Sequence, residues 1–199
     1  MNINDVEAPE EIPSDIRAAI FARQMELMEK YHEIERRNGL LLYEGFPVDL
    51  HNRFAQARLK DFAWRMTEEF TEATEAFDHG DDHYFEELID GLHFLVELMI
   101  LAGFYPSKPI ELQYGEIGTT PFIPYNVIEC VGRAMNCLKN KPWKQTHMLT
   151  DTDRFHGFLE EAWVAFLGLM RSEGILPSEI YQLYFRKAQV NSFRQRSNY

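Results

Sequence analysis

Apolar positions recur every three to four residues along most of the chain, the spacing that lines one face of an α-helix. The pattern begins after Pro13, with Ser14 as N-cap, and predicts a first helix to about Arg37, where Asn38-Gly39 stops it. Further helices are predicted over roughly 50–77, 82–103, 125–139 and 151–172, and Pro177-Ser178 opens a last one that reaches the C-terminus. Gly103 and Gly174 stand at the stops of the third and fifth. Residues 104–124 hold four prolines and read as a long irregular connection. Neither strand alternation nor an internal repeat interrupts this. The expected fold is an all-α bundle of about six helices, built on a central antiparallel hairpin of the second and third. A chain of 199 residues supports one core, so 1–199 is expected to form a single domain, with 104–150 as an insertion capping its site.

The third predicted helix departs from ordinary amphipathicity. Leu88, Ile89, Leu92, Leu95, Val96, Leu98, Met99 and Leu101 make it apolar nearly all round, which marks a buried central helix. Glu87, Asp90, His93 or Phe94, and Glu97 form one narrow polar stripe along it. Carboxylates buried there need compensation, because desolvating an unpaired charge is expensive. The second helix carries Glu69 and Glu72, also three apart and hence on one face. Asp78-His79-Gly80-Asp81-Asp82 between the two helices is a turn signal. A reversal near residues 79 and 80 sets Glu72 level with Glu87 and Glu69 level with Asp90. Four carboxylates then converge, and a hard divalent cation with oxygen ligands relieves their repulsion. Magnesium is the usual choice. The duller reading of Glu69 and Glu72 is the wet face of an amphipathic helix shared with Glu68 and Glu75.

The formal charge of −12, from 20 basic and 32 acidic residues, argues against a general nucleic-acid surface and against docking on anionic membranes. The opening MNINDVEAPEEIPSD is acidic and polar, unlike a secretory leader. The longest apolar stretch, Leu88 to Phe104, is broken by Asp90, His93 and Glu97, which rules it out as a membrane span. Cys130 and Cys137 lie seven apart in one predicted helix, an arrangement that suits neither a disulfide nor a zinc site. A cytoplasmic location is the expectation.

In so acidic a chain the basic clusters are informative. Lys187, Asn191 and Arg194 fall at i, i+4 and i+7 on the last helix, one face suited to a polyphosphate. Lys139-Asn140-Lys141-Pro142-Trp143-Lys144-Gln145 sets basic residues around an aromatic in a break between helices, a loop able to close on an anionic substrate and stack on it.

Glu69-Phe70-Thr71-Glu72 followed by Glu87-Leu88-Ile89-Asp90 resembles the ExxE…ExxD signature of the all-α nucleoside triphosphate pyrophosphohydrolases, the superfamily of dimeric dUTPases, phage dCTP pyrophosphatases and MazG-type enzymes. Asp90-Gly91-Leu92-His93-Phe94 and the ending from Tyr184 to Tyr199 are similar to the dUTPase/dCTPase branch. The resemblance spans roughly 55–199. It implies Glu69, Glu72, Glu87 and Asp90 as Mg²⁺ ligands, with Glu69 or Glu72 orienting the attacking water. It also implies Lys187, Asn191 and Arg194 as phosphate contacts, with Gln195 continuing that motif, and Phe94 as a ring against the deoxyribose. Gln24 matches a base-reading glutamine of the branch, but Met28 stands where an asparagine is expected four residues on. Ala188 and Asn198 also depart from the terminal pattern. The implied activity is hydrolysis of dUTP, or of dCTP, to the monophosphate and pyrophosphate by a homodimer. Trp143 is a candidate base-stacking residue. The alternatives are the same chemistry on dGTP, or a helical adaptor that keeps the scaffold without the reaction.

Overall fold

Side-chain caps set where three of these helices begin. In a computed structural model that describes residues 3–110, 123–141 and 143–197, α1 (Ile16–Arg37) starts where the Asp15 carboxylate accepts the Ala18 amide at 2.9 Å. Asp15, one residue after Ser14, is therefore the cap, because its extended backbone aims the carboxylate at an otherwise unpaired amide. A short turn closed by Asn52 N–H to the Asp49 carbonyl delays α2 (Arg53–His79), and Asn52 then caps it by accepting from Phe54 and Ala55. Gly80 ends α2 with φ of 66°, a left-handed conformation that glycine adopts without steric cost. The chain reverses there into α3 (Tyr84–Leu101). Prolines in the first turn open α4 (Pro124–Cys137) and α6 (Pro177–Arg196), where the missing N–H costs nothing. Asp151 caps α5 (Thr152–Ser172). No strand occurs among the described residues, and the all-α architecture stands. Residues 111–122 of the long connection, Pro142 and the terminal Asn198-Tyr199 lie outside the described residues.

The helices pack as two hairpins with α1 and α6 laid across them. α2 and α3 form the central hairpin, α4 and α5 a second one that meets α2 through α4, and α1 and α6 pack on each other and on α3. One contiguous apolar cluster draws residues from all six helices, including Ile20, Phe70, Leu92, Val131, Phe166 and Ile180. α3 sits at its centre, with Leu88, Ile89, Leu92, Leu95, Val96, Leu98 and Met99 all fully buried.

Two local devices hold this frame. The loop after α4 is pinned at both ends to the start of α2. The Asn140 amide N–H donates to Gln56 Oε1 and its side chain to the His51 and Met148 carbonyls, while Gln56 Nε2 donates to Thr150 Oγ1. At Gly91, α2 and α3 approach so closely that a Cβ would stand 2.5 Å from the Phe70 ring. Phe70 is fully buried and has little room to retreat. Replacing Gly91 with Ala gains up to about 1 kcal/mol of helix propensity but overpacks the seam at a cost of about 1–3 kcal/mol. Gly91→Ala is therefore expected to lower the denaturation midpoint, as urea unfolding of the two proteins will show. An equal or higher midpoint would mean that Phe70 can swing aside.

Candidate active site

The polar stripe of α3 faces a cavity of about 230 Å³ enclosed by α1, α2, α3 and α6. Gln24, Leu27 and Tyr31 from α1, Phe62, Arg65 and Glu69 from α2, Asp90, His93, Phe94 and Glu97 from α3, and Asn191 and Arg194 from α6 line it. Most of the residues singled out from the sequence meet here. Among the described residues Glu69, Glu87 and Asp90 form the cluster able to hold a metal, each offering an oxygen within 4.8 Å of the other two. Glu72 is exposed on the outer side of the group and lies outside that trio, though its charge is felt by Glu69 and Glu87. Gln195 points instead at the α1 backbone, 3.5 Å from the Leu27 carbonyl. Trp143 does not line the cavity: it is 75% exposed, with Lys141 over its ring at 5.3 Å.

Like charges held together out of water resist ionisation. Burial, then Asp90, Glu72 and Glu87, push Glu69 up to about 8 from an ordinary 4.5. Burial and Asp90 raise Glu87 as well. Lys187 supplies the countercharge, with its ammonium 2.5 Å from both Asp90 Oδ2 and Glu86 Oε1. Burial alone would depress Lys187, but the two carboxylates outweigh it and hold the lysine above its usual value. Glu86 was not singled out from the sequence, yet its i, i+4 relation to Asp90 puts it on the same face. Arg65, one turn before Glu69, is a second such residue, tied to Asp61 at 2.7 Å and Glu35 at 3.3 Å.

The far part of the cavity is a buried hydrogen-bond network. Gln24 Nε2 donates to Glu97 Oε2 at 2.8 Å, and Gln24 Oε1 accepts from the Tyr184 hydroxyl at 2.6 Å and from His93 Nδ1 at 2.8 Å. His93 stacks on Tyr184 with centroids 3.9 Å apart. Burial, then the Lys187 charge, depress His93 to about 3, so the ring is neutral. Burial raises Glu97 to about 7. Phe94 reaches the cavity beside Phe62, centroids 6.3 Å apart.

A family model described as dUTPase matches residues 74–199. That is well over half of the chain, and the protein belongs to this family. It is accordingly a deoxynucleoside triphosphate pyrophosphohydrolase acting on a nucleotide substrate. The matched segment takes in Glu87, Asp90 and α6; Glu69 and Glu72 precede it, and it is the hairpin that carries Glu69 to the other two. No curated protein sequence and no solved structure matches the chain significantly. Among the described residues no helix is long and apolar enough to cross a membrane.

The family implies a divalent metal, and the donor set fits one. Three carboxylates offer hard oxygen ligands, and their mutual repulsion is what a dipositive ion relieves. The linkage sign follows from Glu69. Folded, it keeps its proton up to about 8, whereas unfolded it loses it near the ordinary value of 4.5. The metal-free protein therefore loses stability as pH rises through that window. A cation binds the ionised form, so magnesium is expected to raise the melting temperature more at about pH 8.5 than at about pH 6. Melting curves with magnesium and with chelator at both values check this. A magnesium effect absent at both would remove the trio as a metal site.

Proposed function

We propose that the protein hydrolyses a pyrimidine deoxynucleoside triphosphate, dUTP or dCTP, to the monophosphate and pyrophosphate, with Mg²⁺ as its metal. One observation carries the reading: a single cavity is lined by Glu69 and Asp90 of the acidic trio, by Asn191 and Arg194 of α6, and by Gln24, His93 and Glu97 among the aromatic rings of Tyr31, Phe62 and Phe94. Triphosphate chemistry suits the first two groups, and a flat ring with polar edges suits the third.

Bound at Glu69, Glu87 and Asp90, the cation would neutralise the phosphate chain and acidify water. Glu72, whose charge bears on Glu69 and Glu87, would orient a water and accept its proton, with Glu69 as the competing base. The water oxygen attacks the α-phosphorus in line, the bond to the oxygen bridging the α- and β-phosphorus breaks, and pyrophosphate departs. Asn191, Arg194 and Lys187 would stabilise the departing pyrophosphate from α6. Phe94 packs on the deoxyribose, where a 2′-hydroxyl would crowd the ring. Gln24 already spends its amide on Glu97, Tyr184 and His93, so it positions the pocket wall as well as facing a base.

The same reading takes the chain as one domain working as a cytoplasmic homodimer, with 104–150 as its cap. Large apolar side chains exposed along α2 support association: Phe54, Trp64 and Phe77 are 61–64% exposed. The deciding experiment incubates the protein with each of the four canonical dNTPs and dUTP in Mg²⁺ and measures pyrophosphate. Hydrolysis of dUTP or dCTP is expected, and Glu69→Gln or Asp90→Asn should lower kcat/KM by far more than about tenfold, or about 1.4 kcal/mol of barrier. Turnover of dGTP alone would move the substrate to the purines. A loss smaller than tenfold in both variants would sink the assignment of the trio.

A further inference from the structure

Glu97 is an ionisable group that the hydrolysis itself does not use. It lies seven residues beyond Asp90 on α3, two turns along the same face and about 10 Å away at 1.5 Å per residue. A deoxynucleoside can bridge that distance. The residue is 3% exposed and lines the cavity. Its Oε2 accepts the Gln24 amide, but Oε1 is buried and has no hydrogen-bond partner among the described residues. His32 Nε2 stands 3.8 Å from that oxygen, beyond bonding reach, and also has no partner among the described residues. The Gln24 carbonyl beside it is already taken by Tyr184 and His93. Folded proteins leave few buried acceptors without donors, and one carried by a residue that lines a cavity is a candidate partner for a ligand's donor. The neighbouring walls, Leu27, Phe62 and Phe94, are apolar and suit the faces of a ring.

We propose that Glu97 reads the base, its unpartnered oxygen accepting the exocyclic amino group of cytosine, so that the enzyme selects dCTP over dUTP. The inference rests on the proposed reaction and narrows its substrate. Cytosine offers an N–H donor at the position where uracil offers a carbonyl oxygen, and carboxylate to cytosine amine is a standard pairing. Uracil in the same pose sets two acceptors against each other. Burial and, after it, the Glu35 carboxylate raise Glu97, while the Gln24 hydrogen bond and then Arg65 and Arg58, both paired with Glu35, work toward its ionised form.

The test compares kcat/KM for dCTP and dUTP in wild type and in Glu97→Gln, alongside calorimetric binding of dCMP and dUMP. Wild type is expected to prefer dCTP by about tenfold or more. Glu97→Gln, whose amide can present a donor or an acceptor, should bring the two within about threefold. A wild type that prefers dUTP, or a ratio unchanged in the variant, overturns the proposal. Should the variant not fold, the wild-type ratio and the monophosphate affinities decide. If no triphosphate is hydrolysed the proposed reaction fails, while tighter binding of dCMP than dUMP still supports the role of Glu97; equal binding, or none, removes it.

Discussion

Glu86, Glu87, Asp90 and Glu97 enter α3, a helix whose remaining surface is almost wholly apolar and buried, so each has to be stabilised from a neighbouring element. Lys187 on α6 answers Glu86 and Asp90, and Gln24 on α1 answers Glu97. Glu69 on α2 does the opposite and adds a negative charge to the group. The three elements that face the stripe therefore differ in sign and purpose. Two of them satisfy it, and one leaves it short of positive charge. That shortage lies at the Glu69, Glu87 and Asp90 end of the stripe, where the three carboxylates could hold a cation.

The surrounding packing makes this arrangement tolerable. A buried ion pair gives little net stability, since desolvation offsets most of the attraction; what it fixes is geometry. Lys187 locks the register of α6 against α3 at the level of Asp90, and that register carries Asn191 and Arg194 to the cavity edge. The stacked His93 and Tyr184 rings repeat the same α3–α6 contact one turn further on. Chemistry and fold thus share their contacts.

Much of this was legible in the chain. The helix set, the turn at Gly80 and the polar stripe on an apolar helix follow from periodicity, and the stripe already contained Glu97. Level counting from the turn brought Glu69 to Asp90 but also placed Glu72 beside Glu87. Counting fixes height along a helix and leaves rotation open: Glu72 is exposed and outside the trio, although its charge still bears on Glu87. The Lys187 pairing with Glu86 and Asp90 joins residues about a hundred positions apart and needs the tertiary fold. Trp143 illustrates the converse: an aromatic among lysines suggested stacking, yet nothing in a local pattern says which way a loop residue faces.

The loop that carries Trp143 is clamped at its two roots, where Asn140 and Thr150 are stitched to Gln56 and His51. Lys141, Trp143 and Lys144 therefore sit in a loop whose two roots are both tied to the start of α2. The hydrogen bonds that tie Asn140 and Thr150 to Gln56 and His51 involve no residue of 143–146, so that stretch presents its basic and aromatic side chains without contributing to its own anchorage.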